Sequence, residues 1–359
     1  MIKTKTVVLL CIALFLSKLA VHDIESASFI ACGTIISGVV VDPINPEIVY
    51  AMSGRDSVYK SINGGASWDA VGYEGFTYKP SHSLVIDHKN PQIIYADRHK
   101  SINGGKTWKY MRNGHAIEST NKLIMHPQDS ETLYSFTPNK GVYKSINGGE
   151  LWTTFGDEKL GDIRELALDP KDPNIIYGYF MREDEDGPGR TRDVFGIEHG
   201  MKGEIYKSVD SGTTWTSLLP VTGINVLMVD PGNSSIVYAG IRQGLYRSHD
   251  GGKQWNFIKL EIPKETGVLV FAFDPIKTGV VYAGTSHGVF ISTNYGENWR
   301  SINNGFPKNI SVRTLSINPR NPDVIYAGTL QNGVYKTIDG GKTWNPANNG
   351  IPALPNCPE

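Results

Sequence analysis

The octapeptide Ser61-Ile62-Asn63-Gly64-Gly65-Ala66-Ser67-Trp68 returns six more times, as Ser101 to Trp108, Ser145 to Trp152, Ser208 to Trp215, Ser248 to Trp255, Ser292 to Trp299 and Thr337 to Trp344. The shared pattern is Ser/Thr-x-Asp/Asn-x-Gly-x-x-Trp, and it contains all seven tryptophans of the chain. Self-similarity at a fixed period marks a repeat architecture, in which each unit buries its apolar face only by stacking on the next. No other feature restricts the fold as strongly.

A second motif keeps step with the first. Asp42-Pro43 leads to Tyr50, Asp87 to Tyr95, His126-Pro127 to Tyr134 and Asp169-Pro170 to Tyr177. Asp230-Pro231, Asp274-Pro275 and Asn318-Pro319 lead in the same way to Tyr238, Tyr282 and Tyr326. A short apolar run such as Gly38-Val39-Val40-Val41 precedes each turn, a second run ends in the Tyr, and a third has the form Val58-Tyr59-Lys60. The Trp opens a fourth. Short runs rich in Val, Ile and Tyr, broken by Asp-Pro or Asn-Gly, read as strands joined by tight turns. Four strands per repeat and seven repeats of about 45 residues predict an all-β fold, a seven-bladed β-propeller of four-stranded antiparallel blades. That architecture also accommodates 359 residues without one oversized core, and its many turns use the 39 Gly and 20 Pro.

The N-terminus reads differently. Lys3 and Lys5 precede an apolar run from Val7 to Leu16, and a polar stretch then leads to Ser26, Ala27 and Ser28. This is the pattern of a secretory signal, so residues 1–28 are expected to be removed, leaving residues 29–359 as the propeller, secreted or periplasmic, with no membrane span. Of the three cysteines, Cys11 falls in the signal, while Cys32 and Cys357 flank the repeats. In an oxidising compartment they are expected to form a disulfide stapling the first blade to the last, the alternatives being lipid modification of Cys32 after Phe29-Ile30-Ala31 or unpaired thiols in loose tails. No Cys/His spacing suits zinc, and neither a metal nor a cofactor is expected. The net charge of −1 argues against binding nucleic acid through bulk electrostatics.

The repeated octapeptide resembles the Asp box, or BNR repeat, of several propeller families. These include sialidases, two-propeller xyloglucanases, the sortilin-type receptor propeller and the photosystem II assembly propeller. The resemblance implies that each box forms the hairpin between the third and fourth strands of its blade. Asn63, Asn103, Asn147, Asp210, Asp250, Asn294 and Asp339 would cap the turn by accepting backbone N–H groups. Trp68, Trp108, Trp152, Trp215, Trp255, Trp299 and Trp344 would pack between blades. On this reading the boxes are structural, and function lies where the repeats differ.

They differ in the interval from the Tyr to the Ser or Thr of the box. It is 10 or 11 residues in five repeats, 6 in the second and 31 in the fourth. The interval holds the loop on the face opposite the boxes. Repeat four carries an insertion over roughly residues 181–203, with Arg182, Glu183, Asp184, Glu185 and Asp186, then Arg190 and Arg192, and later Phe195 and His199. Long loops in compact domains often carry function. The acidic run is a candidate for a cation or a basic partner, although it lacks calcium-loop spacing. On the same face, Tyr73, Phe76, Tyr78 and His82, with Arg112 and His115, set aromatic rings beside polar groups, as sugar or peptide binding requires.

A glycosidase needs two carboxylates flanking the scissile bond. Asp56, Asp157, Glu158 and Asp162 lie on the insertion-bearing face, and Asp56 and Asp162 are the catalytic candidates. The resemblance to sialidases is incomplete, since those have six blades and an Arg-Ile-Pro motif that is missing here. Ile36 to Val40 and Tyr50 to Ser53 resemble the opening of the xyloglucanases, whose catalytic base would fall at Gly54, with Asp56 two residues beyond. Those enzymes place the acid on a second propeller. The expectation is therefore an exported, non-catalytic binding or scaffold propeller that recognises a protein or glycan partner. The alternative is a glycoside hydrolase using paired carboxylates.

Overall fold

The computed structural model describes residues 34–53, 57–71, 83–114, 122–137, 141–156, 161–183, 191–192, 198–199, 201–261 and 267–352. Seven four-stranded antiparallel sheets, each in sequence order, form a seven-bladed propeller as the repeats predict. Blade 1 comprises Ile36–Val41, Val49–Ser53, Ser57–Ser61 and Asp69–Val71. Blade 7 comprises Val312–Ile317, Ile325–Thr329, Val334–Thr337 and Asn345–Pro346. The first strands of neighbouring blades touch one another and form the innermost layer. No helix occurs among the described residues.

The Asp-Pro turns close on their own side chains. Asp42 Oδ1 accepts the N–H groups of Ile44 and Asn45 at 2.8 and 2.9 Å, and Asp274 Oδ1 treats Ile276 and Lys277 alike. In blade 3 His126 replaces the acid, and its Nδ1 accepts from Gln128 and Asp129 at 3.2 and 3.0 Å. An imidazole nitrogen accepts only when unprotonated. The boxes close similarly: Asn63 Oδ1 accepts the Ser67 N–H at 2.9 Å, and Ser61 Oγ accepts that of Gly65 at 2.7 Å. Gly64 and Gly65, at φ 63° and 82°, occupy the left-handed conformation open to glycine.

The recurring Tyr and Lys have a common task across the seams between blades. Tyr50 and Lys60 are cross-strand partners, and both donate to the Gly104 carbonyl in the next blade's box, at 3.3 and 3.2 Å. Tyr95 with Lys100, Tyr177 with Lys207, and Tyr326 with Lys336 do the same to Gly148, Gly251 and Gly64. A charge-assisted bond to a buried carbonyl exceeds a neutral one in strength. The last of these pairs joins blade 7 to blade 1.

Six of the seven tryptophans fall into two groups, and Trp108, which follows a blade without the pair described next yet is buried, belongs to neither. After Trp108, Trp299 and Trp344, an Asn-Gly pair stands five and six residues on, as Asn113-Gly114, Asn304-Gly305 and Asn349-Gly350. In each case the Asn carbonyl receives the N–H of the following blade's Trp, namely Trp152, Trp344 and Trp68, at 2.8–3.1 Å. Those three rings are fully buried. Trp215, Trp255 and Trp299 follow blades without the pair, and their indole N–H turns back to Gly212, Gly252 and Gly296 of their own boxes. They stay half-exposed.

Every blade is contiguous in sequence, so no exchanged strand closes the ring. Val39 and Val41 of the first inner strand donate to Thr314 and Ser316 of the last at 3.3 and 3.1 Å. Thr34 Oγ1 donates to the Pro352 carbonyl at 2.9 Å, bringing the two ends of the described chain together. Residues 1–33 and 353–359, with the expected signal, Cys32 and Cys357, lie outside the described residues.

Candidate functional site

The Asp-Pro turns and boxes share one face, as the Gly64 N–H bond to the Glu47 carbonyl at 2.8 Å illustrates. The hairpins between second and third strands, and the connections between blades, form the other. Among the described residues, blade 4 has the longest strands running to that second face. Its middle strands, Ile176–Glu183 and Met201–Ser208, have eight residues each and pair out to Glu183 and Met201. The blade's first strand, Asp162–Leu168, reaches only Met181. The insertion thus begins as a β-ribbon rather than a loop, and Thr191–Arg192 pairs with Glu198–His199 in a small ribbon of its own.

The inner strands carry a feature invisible in the repeat pattern. In blades 1, 4, 6 and 7 the pairing of the first and second strands slips by one residue at the loop-bearing end. The bulged residues are Ser37, Arg164, Leu269 and Arg313. Bulges re-aim side chains and are common beside functional sites. Arg313 is open to water but ringed by protein, and the lost hydration lowers its pKa. Arg164 Nε lies 2.8 Å from Asp162 Oδ2, both side chains being about 15% exposed.

One step along, Glu165 is nearly buried and reaches both neighbouring blades. Lys122 Nζ of blade 3 donates to its carboxylate at 2.6 Å, and the Leu227 N–H of blade 5 donates as well. Burial raises the Glu165 pKa, while Lys122 and the backbone donors oppose the rise. Ser83 and Thr314 hold the same position in blades 2 and 7, accepting the N–H of Leu123 and Val39. Glu165 is thus a variant of a seam contact, with its oxygens already engaged. On the ribbon, Arg182 lies 4.0 Å from Glu204, whose carboxylate accepts from Tyr206 at 2.6 Å and from Ser217.

A second polar cluster forms where the blade 2 hairpin is short. Asp97, at φ 49°, and Arg98 make the turn, and both are buried with His99. The Arg98 guanidinium lies 4.8 Å from the Tyr110 ring centre and donates to the Met111 carbonyl at 2.9 Å. The His99 ring sits 5.1 Å from that of Tyr110, and burial lowers its pKa to about 4.

The structure treats the sequence candidates unequally. Asp162 meets Arg164, Arg182 meets Glu204, Arg112 lies 5.6 Å from the Tyr110 ring centre, and Glu183 pairs with Met201. Arg192 and His199 are placed by their backbone alone. Asp56, Tyr73, Phe76, Tyr78, His82, His115, Asp157, Glu158, Asp184, Glu185, Asp186, Arg190 and Phe195 lie outside the described residues. Sequence reasoning missed Arg164, Glu165, Arg313, Lys122 and the Arg98–His99 pair. Only the short second interval hinted at the last. No cluster of three or more metal-ligating side chains occurs among the described residues.

Comparison with known proteins follows this architecture. A xyloglucanase of Hypocrea jecorina is 30% identical over 165 residues, 41% of this chain and 18% of that protein. A probable oligoxyloglucan-reducing end-specific xyloglucanase of Neosartorya fischeri is 23% identical over 263 residues, 69% of this chain and 27% of that protein. The chain thus spans less than a third of these curated relatives. Among solved structures, the GH74 xyloglucanase of Xanthomonas campestris superposes with a TM-score of 0.57 at 14% identity, over 86% of this chain and 60% of that one. YCF48 bound to a D1 peptide gives 0.58 at 11% identity, over 86% and 93%. The family model described as "Sortilin, neurotensin receptor 3" matches residues 96–223 and 243–354, more than half of the chain, and the chain therefore belongs to the Sortilin-Vps10 family.

Proposed function

We propose that the chain is an exported, non-catalytic propeller that holds a protein or glycan partner on the face bearing the blade 4 ribbon. The observation that carries this reading is the ribbon, whose strands run past the first strand of their own blade. A hydrogen-bonded ribbon that extends past its own first strand can form one wall of a binding site. The engaged carboxylates support the non-catalytic half of the reading. Asp162 faces Arg164, and Glu165 is held by Lys122 and backbone N–H groups, so neither is poised to exchange a proton with a substrate. A peptide-bound propeller of the same fold makes a protein the first partner to test.

The second reading is a glycoside hydrolase, favoured by the xyloglucanase relatives. One experiment separates the two. The chain from residue 29, and a variant with residues 182–202 replaced by a short Gly/Ser loop, are screened for partner capture, glycan binding and release of sugar from xyloglucan. Binding without turnover, lost in the variant, is the expected result. Turnover abolished by Asp162→Asn or Asp56→Asn establishes the hydrolase instead.

A further inference from the structure

We infer that the groove between blades 5 and 6, on the outer rim and away from the ribbon, is a second binding site, for a neutral oligosaccharide. At this seam a contact made at three others is missing. At the seam between blades 6 and 7, Asn304 receives the Trp344 N–H at 2.9 Å, and Phe306 stacks on the indole at 4.7 Å and 19°. Blade 5 has Leu260-Glu261 at the spacing where the Asn-Gly pair stands elsewhere. The next tryptophan, Trp299, has no such partner for its backbone N–H among the described residues, turns its indole N–H back to Gly296 at 2.9 Å and remains partly buried. A cavity of about 450 Å³ is left beside it.

The walls have the chemistry of sugar recognition. The partly buried Trp299 and Ile258 give an apolar floor, with the buried Phe290 and Leu260 behind them. The C–H face of a pyranose packs on such a surface. The rim sets Lys259 and Arg300 against Glu261 and Glu297, all exposed. Planar carboxylate and guanidinium groups match the paired hydroxyls of a sugar two bonds at a time. Among the lining side chains two positive and two negative groups balance, and the neighbouring Arg247 is engaged by Glu297, which disfavours an anionic or cationic ligand. Arg247 Nη2 lies 3.6 Å from Glu297 Oε1 and steadies one side of the rim. The volume falls within the range of small-molecule sites.

The test uses the chain from residue 29 and two probes, cellotetraose and maltotetraose. Calorimetry and tryptophan fluorescence follow their binding to the wild type, Arg300→Ala, Glu297→Gln and the groove-filling Ser301→Phe. Each variant's thermal unfolding is compared with that of the wild type, and Arg300→Ala, an exposed change, carries the test if the filled groove fails to fold. The expected result is saturable binding of at least one tetrasaccharide, weakened about tenfold or more by Arg300→Ala. Binding should survive replacement of residues 182–202, so its outcome is independent of the function proposed for the ribbon face. The inference is overturned if neither tetrasaccharide binds at millimolar concentration, or if binding ignores the groove variants. It is equally overturned if binding disappears with the ribbon.

Discussion

Gly350 of blade 7 lies directly against Trp68 of blade 1. A Cβ on Gly350 would stand 2.0 Å from the Trp68 carbonyl oxygen, and the residue already sits at φ 94°. The preceding Asn349 carbonyl receives the Trp68 N–H at 2.8 Å, and the indole N–H reaches Ala347 at 2.8 Å. Here the last blade grips the first, at a seam that no shared strand closes.

Replacing Gly350 should therefore loosen the ring. Gly350→Ala is expected to cost about 3 kcal/mol or more, since it adds a backbone clash to a conformation that L residues avoid. Gly223, at φ 78° with nothing within 4 Å of its Cβ position, is the control. Gly223→Ala should cost only about 1 kcal/mol. Denaturant unfolding of both proteins compares the two losses, and equal losses would refute the seam argument.

Box substitutions should act on stability alone. Asn103→Ala removes the acceptor of the Thr107 N–H at 3.0 Å and the donor to Thr107 Oγ1 at 2.8 Å. The expected loss is about 1–2 kcal/mol, with ligand binding on the opposite face unchanged. Asn103→Asp should be tolerated, because Asp210 and Asp250 fill the same position in blades 4 and 5. Paired melting and binding curves check both halves of the prediction.

Acid should destabilise the protein through two histidines. His99 is buried, chiefly by which its pKa falls from 6.5 to about 4, and burial also lowers that of His126. A group whose folded pKa is depressed binds fewer protons folded than unfolded, so stability declines as pH falls below 6.5 and continues to fall toward pH 4. For His99 the full effect is about 3 kcal/mol. His126 adds to it, since its protonated Nδ1 no longer accepts the turn N–H groups of Gln128 and Asp129. Unfolding measured from pH 7.5 to 4.5 should flatten in His99→Gln, and an unchanged slope in that variant would count against the assignment.

We propose that Cys32 and Cys357 form a disulfide. The bond between Thr34 Oγ1 and the Pro352 carbonyl supports this, because it sets residues two and five positions from the cysteines side by side. The enclosed loop exceeds three hundred residues, for which chain entropy gives roughly 5 kcal/mol before strain. Material exported to an oxidising compartment should weigh two hydrogens less than the reduced chain and melt lower after reduction. Acylation at Cys32 would appear instead as a large mass increase.

The repeats by themselves determined the fold class, the blade number and the strand order. Those follow from local chemistry: an Asp caps its own turn, a Gly takes positive φ, and each Trp and Tyr returns at a fixed interval. The abnormal fourth interval likewise marks an insertion, although its ribbon form is not legible in the sequence. Tertiary structure decided the rest. That Tyr50 and Lys60 share the Gly104 carbonyl, or that Glu165 bridges Lys122 and Leu227, depends on residues some forty or more positions apart meeting across a seam. The bulges that set Arg164 and Arg313 at the loop-bearing ends of their strands are slips of register, and a periodic pattern cannot show which of two adjacent residues is left unpaired. The setting of six of the seven Trp rings follows the blade before it, so nearly identical boxes yield buried rings at some seams and partly buried ones at others.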